Sequence, residues 1–145
     1  MSQASTIANV NDEIEGDEAV DKNISAGIAL AEVLQTTLGP NGRDKMLVGD
    51  GQVTVTNKGT SIVDHIDIES PAAKLIAEVA RSQGGDIGDG STSAIVLAGA
   101  LLREADELLE EGFHPTTIVN GFAEAAKRVQ ARLPDLAKPF TIVVG

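Results

Sequence analysis

Apolar residues recur at three- and four-residue spacing through Ala19, Val20, Ile24, Ala26, Ile28, Ala29, Val33 and Leu34, which predicts an amphipathic helix. Gly39-Pro40 ends it, because proline disfavours helical backbone in the residue before it and glycine closes helices well. Two β-prone runs follow at 45–48 and 52–56, and Gly49-Asp50-Gly51 between them signals a hairpin turn. Residues 60–66 have room for one or two helical turns. Ser70-Pro71 opens another helix, with serine as N-cap and proline at its first position. Leu75, Ile76, Val79 and Ala80 are expected on one face of that helix, and Gly84-Gly85 at its end.

The next helix is expected over 91–111. Its first half, 94–102, is apolar on every side, which predicts a central, buried position. Its second half turns acidic and stops at Gly112. His114-Pro115 opens a last helix through Ile118, Val119, Phe122, Ala126 and Val129. Residues 140–144 read as a β-strand that needs a partner, so the chain is expected to be cut within a larger fold. The small, polar residues 1–11 are expected to be disordered. The fold class is mostly α, with a small β-hairpin and a C-terminal strand, and residues 12–145 form one partial domain.

Composition sharpens this. Aromatic residues are only 2% of the 145, against 42% hydrophobic, so the core must be Ala, Val, Ile and Leu, which suits packed helices. No cysteine is present, which excludes disulfides and thiolate metal sites. His65 and His114 are too few and too separated for an imidazole cluster. A net charge of -11 argues against nucleic acid and against an anionic membrane surface. It is compatible with a protein kept soluble in high salt. The N-terminus is polar, so no signal peptide is expected, and no apolar run is long enough to span a bilayer. A cytoplasmic protein is expected.

The candidate chemistry lies at Gly84-Gly85-Asp86-Ile87-Gly88-Asp89-Gly90-Ser91-Thr92-Ser93, where glycines, a carboxylate and three hydroxyls meet the start of a helix. Free backbone N–H groups and the helix dipole favour an anion there, glycines let a phosphate approach, and Asp89 could hold a divalent cation against it. Taken alone, the segment reads more readily as ordinary capping than as a ligand site. A second loop, Thr36-Thr37-Leu38-Gly39-Pro40-Asn41-Gly42-Arg43, offers hydroxyls and backbone donors, or simply a helix stop. Neither loop is a Walker A or a Rossmann fingerprint. His114 reads as a structural helix start, Lys74 as a solvated edge, and the acidic run 104–111 as a wet helix face.

Thr37-Leu38-Gly39-Pro40, Asp44-Lys45-Met46-Leu47-Val48, Thr56-Asn57, Gly88-Asp89-Gly90-Ser91-Thr92-Ser93 and His114-Pro115, in that order and spacing, resemble the N-terminal half of the equatorial domain of group II chaperonins. These are the thermosomes of archaea and their eukaryotic cytosolic relatives. The resemblance covers residues 18–133. It implies the ATP-binding portion of a subunit that assists protein folding in a double-ring complex, with ATP and Mg2+ as cofactors. Its partners would be other chaperonin subunits, and unfolded clients bound through an apical domain. It further implies that Thr37, Leu38, Gly39 and Pro40 embrace the nucleotide and that Asn57 lies near the phosphates. Asp89 would hold magnesium, and Gly88, Gly90, Ser91, Thr92 and Ser93 would form the phosphate-binding turn.

Two departures qualify this. The family usually reads Thr-Asn-Asp-Gly where this chain has Thr56-Asn57-Lys58-Gly59. An aspartate can orient attacking water and an ammonium cannot, although it can attract a terminal phosphate. Lys58 also reads as a solvated loop residue, with Asp64 or Asp67 as candidates to cover the role. Family subunits are also several times longer, and their later segments complete the pocket and supply a second catalytic carboxylate. No catalytic residue is therefore assigned, and this chain alone is not expected to turn over ATP. The alternatives are a non-hydrolysing, chaperonin-like binding or assembly protein, and a decayed fragment. The turn at Gly49-Asp50-Gly51 is shorter than the family's usual loop, and the half-domain is expected to expose apolar helix faces.

Overall fold

The computed structural model describes residues 16–49 and 51–139. Five helices and one hairpin occur among them: α1 (Asp17–Gln35), β1 (Lys45–Gly49), β2 (Gln52–Thr56), α2 (Gly59–His65), α3 (Pro71–Asp86), α4 (Ser91–Glu110) and α5 (Pro115–Leu136). The mostly α class with a small hairpin is what the sequence pattern predicts. The expected disorder at 1–11, the strand at 140–144 and Asp50 of the turn lie outside the described residues.

Two compact units divide the chain, one through Asp106 and the other from Glu107. In the first, the core gathers Leu30, Ala31 and Leu34 of α1, Ile62 and Val63 of α2, Ala73, Ala77 and Ala80 of α3, and Ile95 of α4. Leu34, Ile62, Val63 and Ile95 are fully buried. Taking each from water is worth about 1.5–3 kcal/mol before entropy is charged against it. Leu47 of β1 packs on this core. The strands pair antiparallel, Lys45 opposite Thr56 through Gly49 opposite Gln52. Half-buried Lys45, Leu47, Thr54 and Thr56 alternate with exposed Met46, Val48, Val53 and Val55.

α3 keeps only half of its predicted face. Its buried positions are Ala73, Ala77 and Ala80, with Ile76 half-buried, whereas Leu75 and Val79 are 69% and 59% exposed. Alanines bring helix backbones close, so the small residues, not the large ones, mark the inner stripe of α3. The expected stop at Gly84-Gly85 is also corrected, because the helix runs through both to Asp86. Gly84 is held inside by a close approach: a Cβ there would lie 2.6 Å from Thr60 Cγ2. The start is as predicted, with Ser70 Oγ accepting from Ala73 N–H at 3.4 Å and Pro71 in the first turn.

α4 is likewise one-sided. Ser91, Ile95 and Gly99 are buried, yet Leu97 is 61% exposed and Leu101 41%. Its inner side touches α1 closely. A Cβ on Gly99 would overlap Ala31 Cβ, and one on Gly27 would meet Leu102 and, at 2.9 Å, Ile76 Cδ1. Arg103 and Glu32 add an exposed ion pair across the same helices at 3.3 Å.

In the second unit, Phe113 N–H bonds Leu108 O and Gly112 N–H bonds Leu109 O, closing α4. His114 caps α5, its Nδ1 accepting from Thr116 N–H at 3.2 Å, which is the structural role expected of it. Lys74 is exposed, as expected.

Candidate functional site

One cleft of about 450 Å³ gathers three separated pieces of the first unit. Its lining comprises Thr37, Leu38 and Gly39 after α1, Asn57, Lys58 and Gly59 at the start of α2, Gly84 of α3, and Gly88 through Ser93 at the start of α4. Each piece is placed by local chemistry.

The first is the turn after α1. Thr37 is buried, and its Oγ1 donates to Leu34 O at 2.7 Å, closing the helix. Its hydroxyl proton is therefore committed, leaving the oxygen as an acceptor toward the cleft. The loop returns to its own base through Arg43 N–H to Thr36 O at 2.8 Å and Gly42 N–H to Gly39 O at 2.9 Å. Pro40 does not line the cleft.

The second piece leaves β2. Lys58 N–H bonds Thr56 Oγ1 at 3.1 Å, and Lys58 is the N-cap residue of α2. Gly59 is buried against the start of α4. The third piece joins α3 to α4. Gly88 and Gly90 have φ of 83° and 82°, a left-handed conformation that glycine adopts without strain. Asp89 lies between them, and its Oδ1 accepts from Gly90 N–H at 2.7 Å. The first helical bond of α4 runs from Ala94 N–H to Gly90 O at 2.9 Å, so the N–H groups of Ser91, Thr92 and Ser93 lie ahead of the ladder.

The cleft thus presents one cation, one carboxylate, several hydroxyls and a 20-residue helix aimed amino end first. A model of the TCP-1/cpn60 chaperonin family matches residues 30–142. The chain belongs to that family. Among relatives, thermosome subunit 3 of Haloferax volcanii is 48% identical over 128 residues, 88% of this chain and 24% of its own. Thermosome subunit beta of Methanothermobacter thermautotrophicus is 50% identical over 123 residues, 84% of this chain and 23% of its own. Thermosome subunit alpha of Halobacterium salinarum is 49% identical over 123 residues, 84% and 22%. The match places the chaperonin chain on the group II side, and it spans about a quarter of the length of these relatives.

Of the residues expected at the site, all but Pro40 line this chaperonin cleft: Thr37, Leu38, Gly39, Asn57, Gly88, Asp89, Gly90, Ser91, Thr92 and Ser93. Gly59 and Gly84 were not foreseen. Nothing in a lone glycine tells that a neighbouring helix start will press on it. Lys58 lines the cleft too and is exposed. Neither acid considered as its substitute is there. Asp64 instead accepts from Arg81 Nε at 2.8 Å, and Arg81 also reaches Glu78 at 2.7 Å. The Asp64 hydrogen bond raises the pKa of the arginine. Asp67 is exposed and outside the lining.

Proposed function

We propose that the cleft binds the phosphates of ATP with Mg2+, and that the chain is the nucleotide-binding portion of a chaperonin subunit. The observation that carries this is the meeting of three sequence-distant pieces, two of them glycine-rich, on one polar cleft at the start of α4. The donor set fits the ligand. The N–H groups of Ser91, Thr92 and Ser93, with the helix dipole behind them, suit phosphate oxygens. Among the described residues no group of three or more His, Asp or Glu gathers to cage a metal. A single carboxylate suits Mg2+, which is usually held by one or two carboxylates together with substrate phosphates. When bound, the ion would neutralise phosphate charge. Asp89 would hold it, Ser91, Thr92 and Ser93 would orient the phosphates, and Leu38 and Gly39 would close against the nucleotide.

Assembly into an oligomeric chaperonin ring, in which subunits act on unfolded proteins in the cytosol, is proposed for the protein from its thermosome relatives. Lys58 favours a second reading of the site, binding without turnover. It brings an ammonium to the cleft, and no carboxylate but Asp89 lines it. An ammonium attracts a terminal phosphate but does not activate water.

Calorimetric titration of Mg-ATP into the chain, with Asp89→Ala alongside, tests the proposal. Saturable binding weakened by Asp89→Ala is expected. A folded chain that takes up no nucleotide overturns it.

A further inference from the structure

Asp89 stands between two glycines that restrain the backbone little, so something else must fix where its carboxylate points. The peptide group joining Asp89 to Gly90 is held at both ends. Its carbonyl, Asp89 O, accepts from Gln83 Nε2 at 3.1 Å, and its N–H, on Gly90, donates to Asp89 Oδ1 at 2.7 Å. A peptide group is planar, so anchoring the carbonyl sets the direction of the N–H. The N–H in turn sets the carboxylate. Were the plane to flip, the N–H would turn away and Oδ1 would lose its donor.

The anchor is well placed. Gln83 is half-buried in the last turns of α3, and its own carbonyl accepts from Ile87 N–H at 3.1 Å, so the residue belongs to the rigid helix and not to the loop. Its side chain lies close to Gly90: a Cβ there would stand 3.2 Å from Nε2. By contrast, nothing lies within 4 Å of a Cβ built on Gly88. The side-chain restraint on this turn therefore comes from the Gln83 side.

We infer that Gln83 is the positioning residue of the site, orienting the Asp89 carboxylate for its cation by clamping the Asp89–Gly90 peptide plane. This rests on the Mg2+–nucleotide reading and adds a determinant of its metal dependence. Gln83 lies outside the cleft lining.

The test is a Mg2+ titration of the chain at saturating ATP, read by calorimetry, beside an ATP titration in EDTA. Gln83→Glu keeps size and removes the donor, and Gln83→Met keeps the packing on Gly90 without either polar group. Both are expected to weaken the apparent Mg2+ affinity about five- to tenfold, the size of one hydrogen bond, while ATP binding in EDTA stays within about twofold. A residue that served folding alone would lower both affinities together with the melting temperature. Wild-type binding with an unchanged Mg2+ response in both variants overturns the inference and leaves the nucleotide site standing. Absence of ATP binding by the wild-type chain, with or without Mg2+, overturns both.

Discussion

Gly59 meets Thr92 so closely that a β-carbon on the glycine would lie 2.6 Å from Thr92 Oγ1, 3.0 Å from its nitrogen and 3.1 Å from its Cα. The start of α2 thus rests directly on the start of α4, and the two lining pieces of the cleft share one wall. Because two of the three contacts are to backbone, the crowding cannot be relieved by a rotamer change.

Gly59→Ala is therefore expected to push the two helix starts apart. Overpacking of this kind costs about 1–3 kcal/mol, read as a lowered denaturation midpoint. Trimming the partner with Thr92→Ala should recover only part of the loss, since the nitrogen and Cα remain. Full recovery in the double variant would mean that the hydroxyl alone sets the spacing.

A second glycine contact makes a cleaner exchange. Gly99 of α4 faces Ala31 of α1, with no room for two methyl groups. Alanine is about 1 kcal/mol better than glycine within a helix, so propensity alone predicts that Gly99→Ala stabilises. The contact predicts the opposite sign, a loss of about 1–3 kcal/mol from overpacking. Adding Ala31→Gly should restore most of it, and the double-mutant cycle measures the coupling. A stabilised Gly99→Ala variant would mean that α1 and α4 can separate freely.

These contacts show where the sequence was legible and where it was not. Helix starts carry their own chemistry, so Ser70-Pro71 and His114-Pro115 announced α3 and α5 correctly, and Gly88 through Ser93 announced the start of α4. Which face turns inward is decided by neighbours. Leu75, Val79, Leu97 and Leu101 are the apolar residues a periodicity argument would bury, yet each is more than 40% exposed while Ala73, Ala77 and Gly99 lie inside. Gly84-Gly85 misled for the same reason. Glycine weakens a helix, but Gly84 is kept in one by the approach of Thr60. The cleft itself depends on α2 and α4 meeting, and no local pattern records that.

Thr37 offers a prediction that separates structure from binding. Its hydroxyl proton goes to Leu34 O at 2.7 Å inside a buried turn. Thr37→Val leaves that carbonyl without its side-chain donor and should cost about 1 kcal/mol, whereas Thr37→Ser should retain most of the stability. Equal loss in both variants would assign the effect to the methyl group and its packing.

Lys58 and Asp89 are the only charged residues among those lining the cleft, and they carry opposite signs. Among the described residues Lys58 makes no ion pair. Among those residues, then, no ion pair competes with a phosphate for its charge. Lys58→Asp is expected to weaken ATP far more than adenosine, which offers no phosphate to the ammonium. The difference should shrink as salt is raised, since the Debye length falls from about 10 Å at 0.1 M to about 3 Å at 1 M. Competition binding of ATP and adenosine at low and high salt reads both effects. If the two ligands lose affinity equally, Lys58 shapes the loop and does not attract the phosphate chain.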